Sequence, residues 1–95
     1  MGFRNIAKLV RSKRVIQGIS QTELSNKMGY KNGQFISNVE RGLCSIPLSK
    51  VKHLTSEIGA DRDEIINAMT QDLKDKINNY YGKDDDSLNA TTRVF

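Results

Sequence analysis

Apolar residues recur at intervals of three and four along this 95-residue chain, the spacing that places them on one face of an α-helix. Between Phe3 and Gln17 they are interspersed with basic residues, and Gly18 ends the segment. The pattern predicts a first amphipathic helix. Its predicted inward positions are Ile6, Leu9, Val10 and Ile16.

A second, shorter helix is predicted from residue 20 onwards. The run Ser20-Gln21-Thr22-Glu23 fits a capping box, in which the serine hydroxyl and the glutamate carboxylate each accept from the other residue's backbone amide. Leu24 and Met28 lie four apart on the predicted inner face. Gly29 supplies a residue that can end the helix in the left-handed region.

The third predicted helix is also short and has two distinct faces. Asn32 is a suitable N-cap for a helix from Gly33 to about Arg41. Ile36 and Val39 then face inward. By the three- and four-residue neighbour rule, Gln34, Asn38 and Arg41 share the outer face.

Two more helices complete the predicted all-α fold, a five-helix domain over residues 1–81. Ser49 is a candidate cap for the fourth helix, which Gly59 ends, and Asp61 opens the fifth. The inward positions of the fourth helix are Val51, Leu54 and Ile58. The fifth carries a long apolar stripe made of Ile66, Met69, Leu73, Ile77 and Tyr80. Residues 82–95 lack any helical or strand period and predict a flexible tail.

Composition narrows the class of protein. With 37% hydrophobic residues, 6% aromatic residues and no Trp, the core must be built from Ile, Leu, Val and Met, which favours packed helices. The single Cys44 cannot form an internal disulfide, and we therefore expect the protein to reside in a reducing cytoplasm. No apolar run approaches the roughly 20 residues that span a bilayer, so no membrane association is expected.

The charge is unevenly distributed. Residues 1–50 carry nine basic and two acidic residues, a net charge of +7, whereas residues 51–95 carry six basic and nine acidic residues, a net charge of −3. A concentrated positive field attracts polyanions such as nucleic acid. An ordinary solvated surface remains the alternative.

Catalytic machinery is not recognisable in the sequence. His53 is the only histidine and has no second ligand at metal-binding spacing, and Cys44 has no paired base. We therefore expect no enzyme activity, no metal and no cofactor.

The order and spacing of several short fragments between residues 14 and 66 are informative together. In the first three helices the fragments are Arg14, Gly18-Ile19-Ser20-Gln21, Glu23-Leu24, Gly29, Ile36-Ser37 and Glu40-Arg41-Gly42. Apolar or turn markers follow at Pro47, Val51, Leu54, Ile58-Gly59 and Ile65. About half of the chain thus resembles the Cro/C1-type (XRE, lambda-repressor-like) helix-turn-helix family of phage repressors and bacterial regulators.

This resemblance implies a helix-turn-helix over about residues 20–41. The sequence differs from the family pattern in two respects. Ser25 stands where the family usually has Ala. Six residues separate Gly29 from Ile36 where the usual number is five, so the turn before Asn32 is expected to be longer.

The resemblance also implies roles for individual residues. Gln34 and Asn38 are the expected base readers, and their amides match adenine. Gly33, Phe35 and Ser37 are expected beside them at the bases. The alternative for Phe35 is packing against the neighbouring turn. The residues expected to contact DNA phosphates are Gln21, Asn32, Arg41, Lys31, Arg11 and Lys13. Arg14 and Glu40 would form a structural ion pair. The later part of the apolar stripe, with Met69, Leu73, Ile77 and Tyr80, would form a homodimer interface or else fold back onto the first helix.

Three hypotheses follow. The first is a transcriptional regulator, a repressor of phage or mobile-element type that binds an inverted-repeat operator in double-stranded DNA as a homodimer, in the cytoplasm and at the nucleoid. The second is an antitoxin that represses its own promoter and holds a toxin; an antirepressor is a further candidate protein partner. The third is a helical protein-interaction module without DNA binding.

Overall fold

The computed structural model describes the backbone of residues 2–92 and the side chains of residues 2–82. All regular secondary structure in this part of the chain is helical, which confirms the predicted all-α class. The five helices are α1 (Arg4–Gln17), α2 (Gln21–Lys27), α3 (Gln34–Glu40), α4 (Leu48–Ile58) and α5 (Arg62–Thr92). None of the described helices is long and apolar enough to cross a membrane.

Most helix ends lie where the local sequence predicts them. The capping box at the start of α2 is complete, with the Ser20 hydroxyl accepting from the Glu23 amide at 3.0 Å and the Glu23 carboxylate accepting from the Ser20 amide at 3.2 Å. Gly18 and Gly59 end α1 and α4 in the left-handed conformation. At α4 the prediction is wrong by two residues, because Pro47 and not Ser49 holds the N-cap position. The backbone of Pro47, with a φ of −56° and a ψ of 138°, is non-helical, as is usual at an N-cap.

The start of α3 also differs from the prediction by one residue. Gly33 is the N-cap and forms no side-chain capping bond. The Asn32 side-chain oxygen instead accepts from the Gln34 amide at 2.9 Å. An asparagine commonly bonds the backbone two residues on, so Asn32 still satisfies an amide at this helix end from a position outside the helix.

The core is aliphatic and draws on every helix. Its buried residues are Ile6, Val10, Leu24, Met28, Ile36, Val39, Ile46, Leu54, Ile58 and Ile65. Leu9 and Val51, both predicted inward, pack only partly against it. The buried core therefore consists of Ile, Leu, Val and Met, as the composition predicted.

Two inward positions were predicted wrongly. Ile16 is 79% exposed, because six residues at 100° each place it about 240° round α1 from the buried Val10. On α5 the inward residue is Ile65, 2% exposed, and not Ile66, 45% exposed. The apolar stripe on α5 therefore begins next to the buried face of the helix and not on that face.

The buried carboxylate of Asp72 links α5 to the start of α1. Its Oδ1 accepts from the Asn5 amide at 2.7 Å and its Oδ2 from the Ile6 amide at 3.0 Å. The N-cap residue Phe3 forms no side-chain capping bond, so a residue 67 positions away from Asn5 takes that role. A carboxylate at this end also interacts favourably with the helix dipole. Sequence patterns gave no sign of this contact.

Beyond Tyr81 the structure differs from the predicted tail, because the helical backbone of α5 continues to Thr92. Gly82 at this boundary costs a helix only about 1 kcal/mol relative to alanine, and no proline follows it. Residues 93–95 of the predicted tail lie outside the described residues. The 31-residue α5 contributes to the elongated dimensions, 54 × 24 × 23 Å.

We expect Asp72→Ala to lower the free energy of unfolding by about 1–3 kcal/mol, because two amides at the start of α1 would be left without an acceptor. Chemical denaturation measures the change. Asp75→Ala is the matched control: Asp75 lies one turn on and accepts only from side-chain amides, those of Asn5 and Gln71. An equal decrease in both variants would contradict the capping role.

Candidate nucleic-acid interface

The predicted ion pair between Arg14 and Glu40 is present and joins α1 to α3. Arg14 Nε lies 2.6 Å from Glu40 Oε2, and Arg14 Nη2 donates to Glu40 Oε1 at 3.0 Å. The Glu40 side chain is 2% exposed and that of Arg14 is 12% exposed. The hydrogen bond to Glu40 raises the pKa of the Arg14 guanidinium, against the lowering effect of burial. The pair therefore links the end of α3 to α1.

Gln21 belongs to the same network. Its Nε2 donates to Glu40 Oε1 at 3.0 Å, so α2 is tied to the same carboxylate. This bond uses one of the two hydrogens of the Gln21 amide group, so the phosphate contact by Gln21 stays a prediction. Residue type and position alone did not indicate this internal bond.

The approach of α3 to α2 depends on two small residues. Ser25 is fully buried, and its hydroxyl accepts from the Ile36 amide at 3.3 Å. A Cβ added to Gly33 would lie 2.9 Å from Thr22 Oγ1 and 3.3 Å from Thr22 Cα. The absence of a side chain at Gly33 therefore allows α3 to contact α2. This close contact is a structural reason for glycine at position 33 that is separate from its predicted place beside the bases.

The outer face of α3 presents the two predicted base-reading amides. Gln34 is exposed and Asn38 half-buried, and Gln34 Nε2 donates to Asn38 Oδ1 at 2.8 Å. Ile36 and Val39 are fully buried on the opposite face. The buried face of α3 is therefore the one predicted from the sequence.

The turn before α3 is packed by aromatic side chains. The rings of Tyr30 and Phe35 stack with centroids 4.3 Å apart, and Lys50 Nζ lies 5.3 Å from the Tyr30 centroid. Phe35 thus follows the packing alternative and not the base-reading one. Ser37 is half-buried. The role of Tyr30 was missed because its partner lies in the next helix.

The predicted phosphate-contacting residues fall into two groups. Arg41, Lys31 and Arg11 are exposed. Lys13 instead pairs with Glu64 on α5, with 3.1 Å between Nζ and Oε1. The Asp61 backbone amide and then the Lys13 ammonium lower the pKa of the Glu64 carboxyl. Lys13 thus forms an interhelical contact. The Asn32 oxygen accepts from the Gln34 amide, and this bond does not use the Asn32 Nδ2 donor that a phosphate would need.

The two residues weighed for catalysis lie outside this surface. His53 is exposed and its Nε2 lies 3.0 Å from Glu57 Oε2, one turn along α4. Cys44 is half-buried, and burial raises the pKa of its thiol. Burial therefore disfavours the thiolate, which is the reactive form.

Comparisons with protein-family models, curated proteins and solved structures found no match to this chain.

We expect Gly33→Ala to lower the free energy of unfolding by about 1–3 kcal/mol through overpacking between α2 and α3. Its backbone φ of −76° is accessible to alanine, so strain at φ does not contribute. Chemical denaturation measures the change, and Gly2→Ala is the control because nothing lies within 4 Å of its added Cβ. Adding Thr22→Ala should restore only part of the stability, since the Thr22 backbone remains. Full stability of Gly33→Ala alone would contradict the close approach.

Proposed function

We propose that this chain is a sequence-specific DNA-binding transcriptional regulator of the Cro/C1 helix-turn-helix type, a repressor that binds an inverted-repeat operator as a homodimer. The observation that carries the proposal is the outer face of α3, where Gln34 and Asn38 lie side by side. A helix with this polar face and a buried opposite face is suited to lie in the major groove.

The chemistry of the two amides supports base reading. An Asn amide can accept from adenine N6 and donate to adenine N7 at once. In the protein, Gln34 donates to Asn38 Oδ1, which orients the Asn38 amide. That oxygen has a second lone pair for a base and the Asn38 Nδ2 group remains a donor. Gln34 therefore acts beside Asn38 as a positioning residue as well as a second reader.

Cationic residues at both ends of α3 support contacts to the DNA backbone. Lys31 precedes the helix and Arg41 follows it, and both are exposed. Contacts of this kind set the position and register of a protein on the duplex but carry no sequence information. The proposed phosphate-contacting residues are Arg41, Lys31 and Arg11, together with Asn32 and Gln21 through their side-chain amide donors.

We expect Asn38→Ala to relax the preference for the base pair that Asn38 reads by about 1–3 kcal/mol, and Gln34→Ala to do so at the same or the adjacent pair. Arg41→Ala should weaken binding to all sequences alike and reduce its salt dependence. Selection from random duplexes followed by fluorescence anisotropy measures both effects.

Asn67→Ala, a change at an exposed amide on α5, is the control and should leave the selected motif unchanged. Wild-type protein that enriches no motif would overturn the sequence-specific function. Enrichment with no change in the Asn38→Ala variant would overturn only the assignment of the reader. A chain without any affinity for DNA would favour the interaction-module hypothesis.

The homodimer is supported by the outward side of α5. Leu73, Ile77 and Tyr80 are 58%, 44% and 66% exposed, and they lie on one stripe of the helix. Met69, also predicted at this interface, packs partly against the core and is removed from the proposed contact. A two-fold association of two copies through this stripe would supply the symmetry that operators with half-sites about 34 Å apart require.

We expect Leu73→Glu with Ile77→Glu to convert a dimer to a monomer, because burying two charges at an apolar interface is costly. Sedimentation equilibrium gives the mass, and Lys74→Glu with Asn67→Glu on the exposed polar positions of α5 is the control. A wild-type protein that remains monomeric on operator DNA would contradict the dimer without affecting base reading.

A further inference from the structure

A groove outside the face formed by Gln34 and Asn38 is lined by basic side chains from two helix regions. It lies between α1, the end of α3 and α5, and has a volume of about 670 Å³. Arg4, Lys8 and Arg11 line it from α1, and Arg41 lines it at the end of α3. All four are exposed. We refer to this surface as the basic groove.

The acidic residues in the basic groove are already engaged within the protein. Glu40 is bound by Arg14, Asp72 by the two α1 amides, and Asp75 by the side chains of Asn5 and Gln71. Among the described side chains, Arg4 and Lys8 form no ion pair, and Arg11 lies 3.9 Å from Glu40. Hydrogen bonds from neutral amides do not cancel the charges of Asp72 and Asp75. The four basic residues of the lining therefore stand against three acidic ones, of which Arg14 balances Glu40, and the net charge of the groove is positive.

The spacing of the α1 residues suits an extended polyanion better than one small ion. Arg4, Lys8 and Arg11 follow one another at four and three positions, which puts them on one face over about 10 Å of helix. A DNA strand carries about one phosphate per 3.4 Å of axis. Several phosphates therefore fall within the length of this row.

Arg41 connects the basic groove to the proposed DNA-binding helix. It lies at the C-cap of α3 and lines the groove as well. We propose that the basic groove holds the DNA backbone next to the stretch contacted by α3, so that Arg4 and Lys8 extend the footprint without reading sequence. This inference rests on the proposed function.

The test compares two variants of the full chain with the same change of net charge. Arg4→Gln with Lys8→Gln alters the groove, whereas Lys52→Gln with Lys74→Gln alters exposed residues of α4 and α5 that do not line it. Binding of each to a random-sequence duplex and to a selected operator is followed by fluorescence anisotropy over a salt series. Circular dichroism and thermal unfolding check that each variant folds.

We expect the groove variant to bind both duplexes more weakly by the same factor. Its salt slope should be smaller by about 0.9 for each phosphate that the two substituted side chains no longer neutralise. The control variant should keep the wild-type slope. The charge-conserving variant Arg4→Lys with Lys8→Arg should also keep it, which separates charge from packing.

Equal slopes in the groove variant and the wild type would overturn this inference while leaving the proposed function intact. Equal reductions in the groove and control variants would also overturn it, because net charge alone would then explain the effect. Absence of DNA binding by the wild type at low salt would overturn both, and would direct attention to an acidic protein as the ligand of the groove.

Discussion

The buried carboxylate of Glu40 is the constraint on which the arrangement of the first three helices depends. At 2% exposure, an ionised group needs partners inside the protein, since an uncompensated buried charge costs several kcal/mol. Arg14 supplies two donors from α1 and Gln21 a third from α2. A seven-residue helix such as α3 has little stability of its own. Its position is therefore set by these contacts and by its apolar face.

The two ends of α3 are fixed by different means. At the C-terminal end the Glu40 network is ionic, while at the N-terminal end small residues allow a close approach, with Gly33 against Thr22 and the Ser25 hydroxyl accepting from a backbone amide. With both ends held, rotation of the helix about its axis is restricted. Base reading needs such restriction, because a side chain must be held within a fraction of an ångström to form paired hydrogen bonds.

The sequence predicted what is local and missed what depends on a distant partner. The capping box at Ser20, the end of α1 at Gly18 and the buried faces of the short helices follow from spacing within one segment. The capping of α1 by Asp72 and the pairing of Lys13 with Glu64 join residues far apart in the chain. Hydrophobic periodicity concerns one helix at a time, so it cannot assign such pairs. The error at Ile66 has a related cause, since two adjacent isoleucines fit the same pattern and only packing distinguishes them.

The charges of the chain suggest how the proposed contacts act at different distances. The first half of the chain, which contains helices α1, α2 and α3, has a net charge of +7. The remainder has a net charge of −3. In the proposed complex, such an asymmetry would turn the α3 side towards the polyanion, over a range that salt limits to about 8 Å at physiological ionic strength. Arg41 and its neighbours would then contact phosphates, which set the register but carry no sequence information. The amide pair would supply the sequence preference. Under the proposed function, orientation, register and sequence preference therefore depend on different residues and can be altered separately.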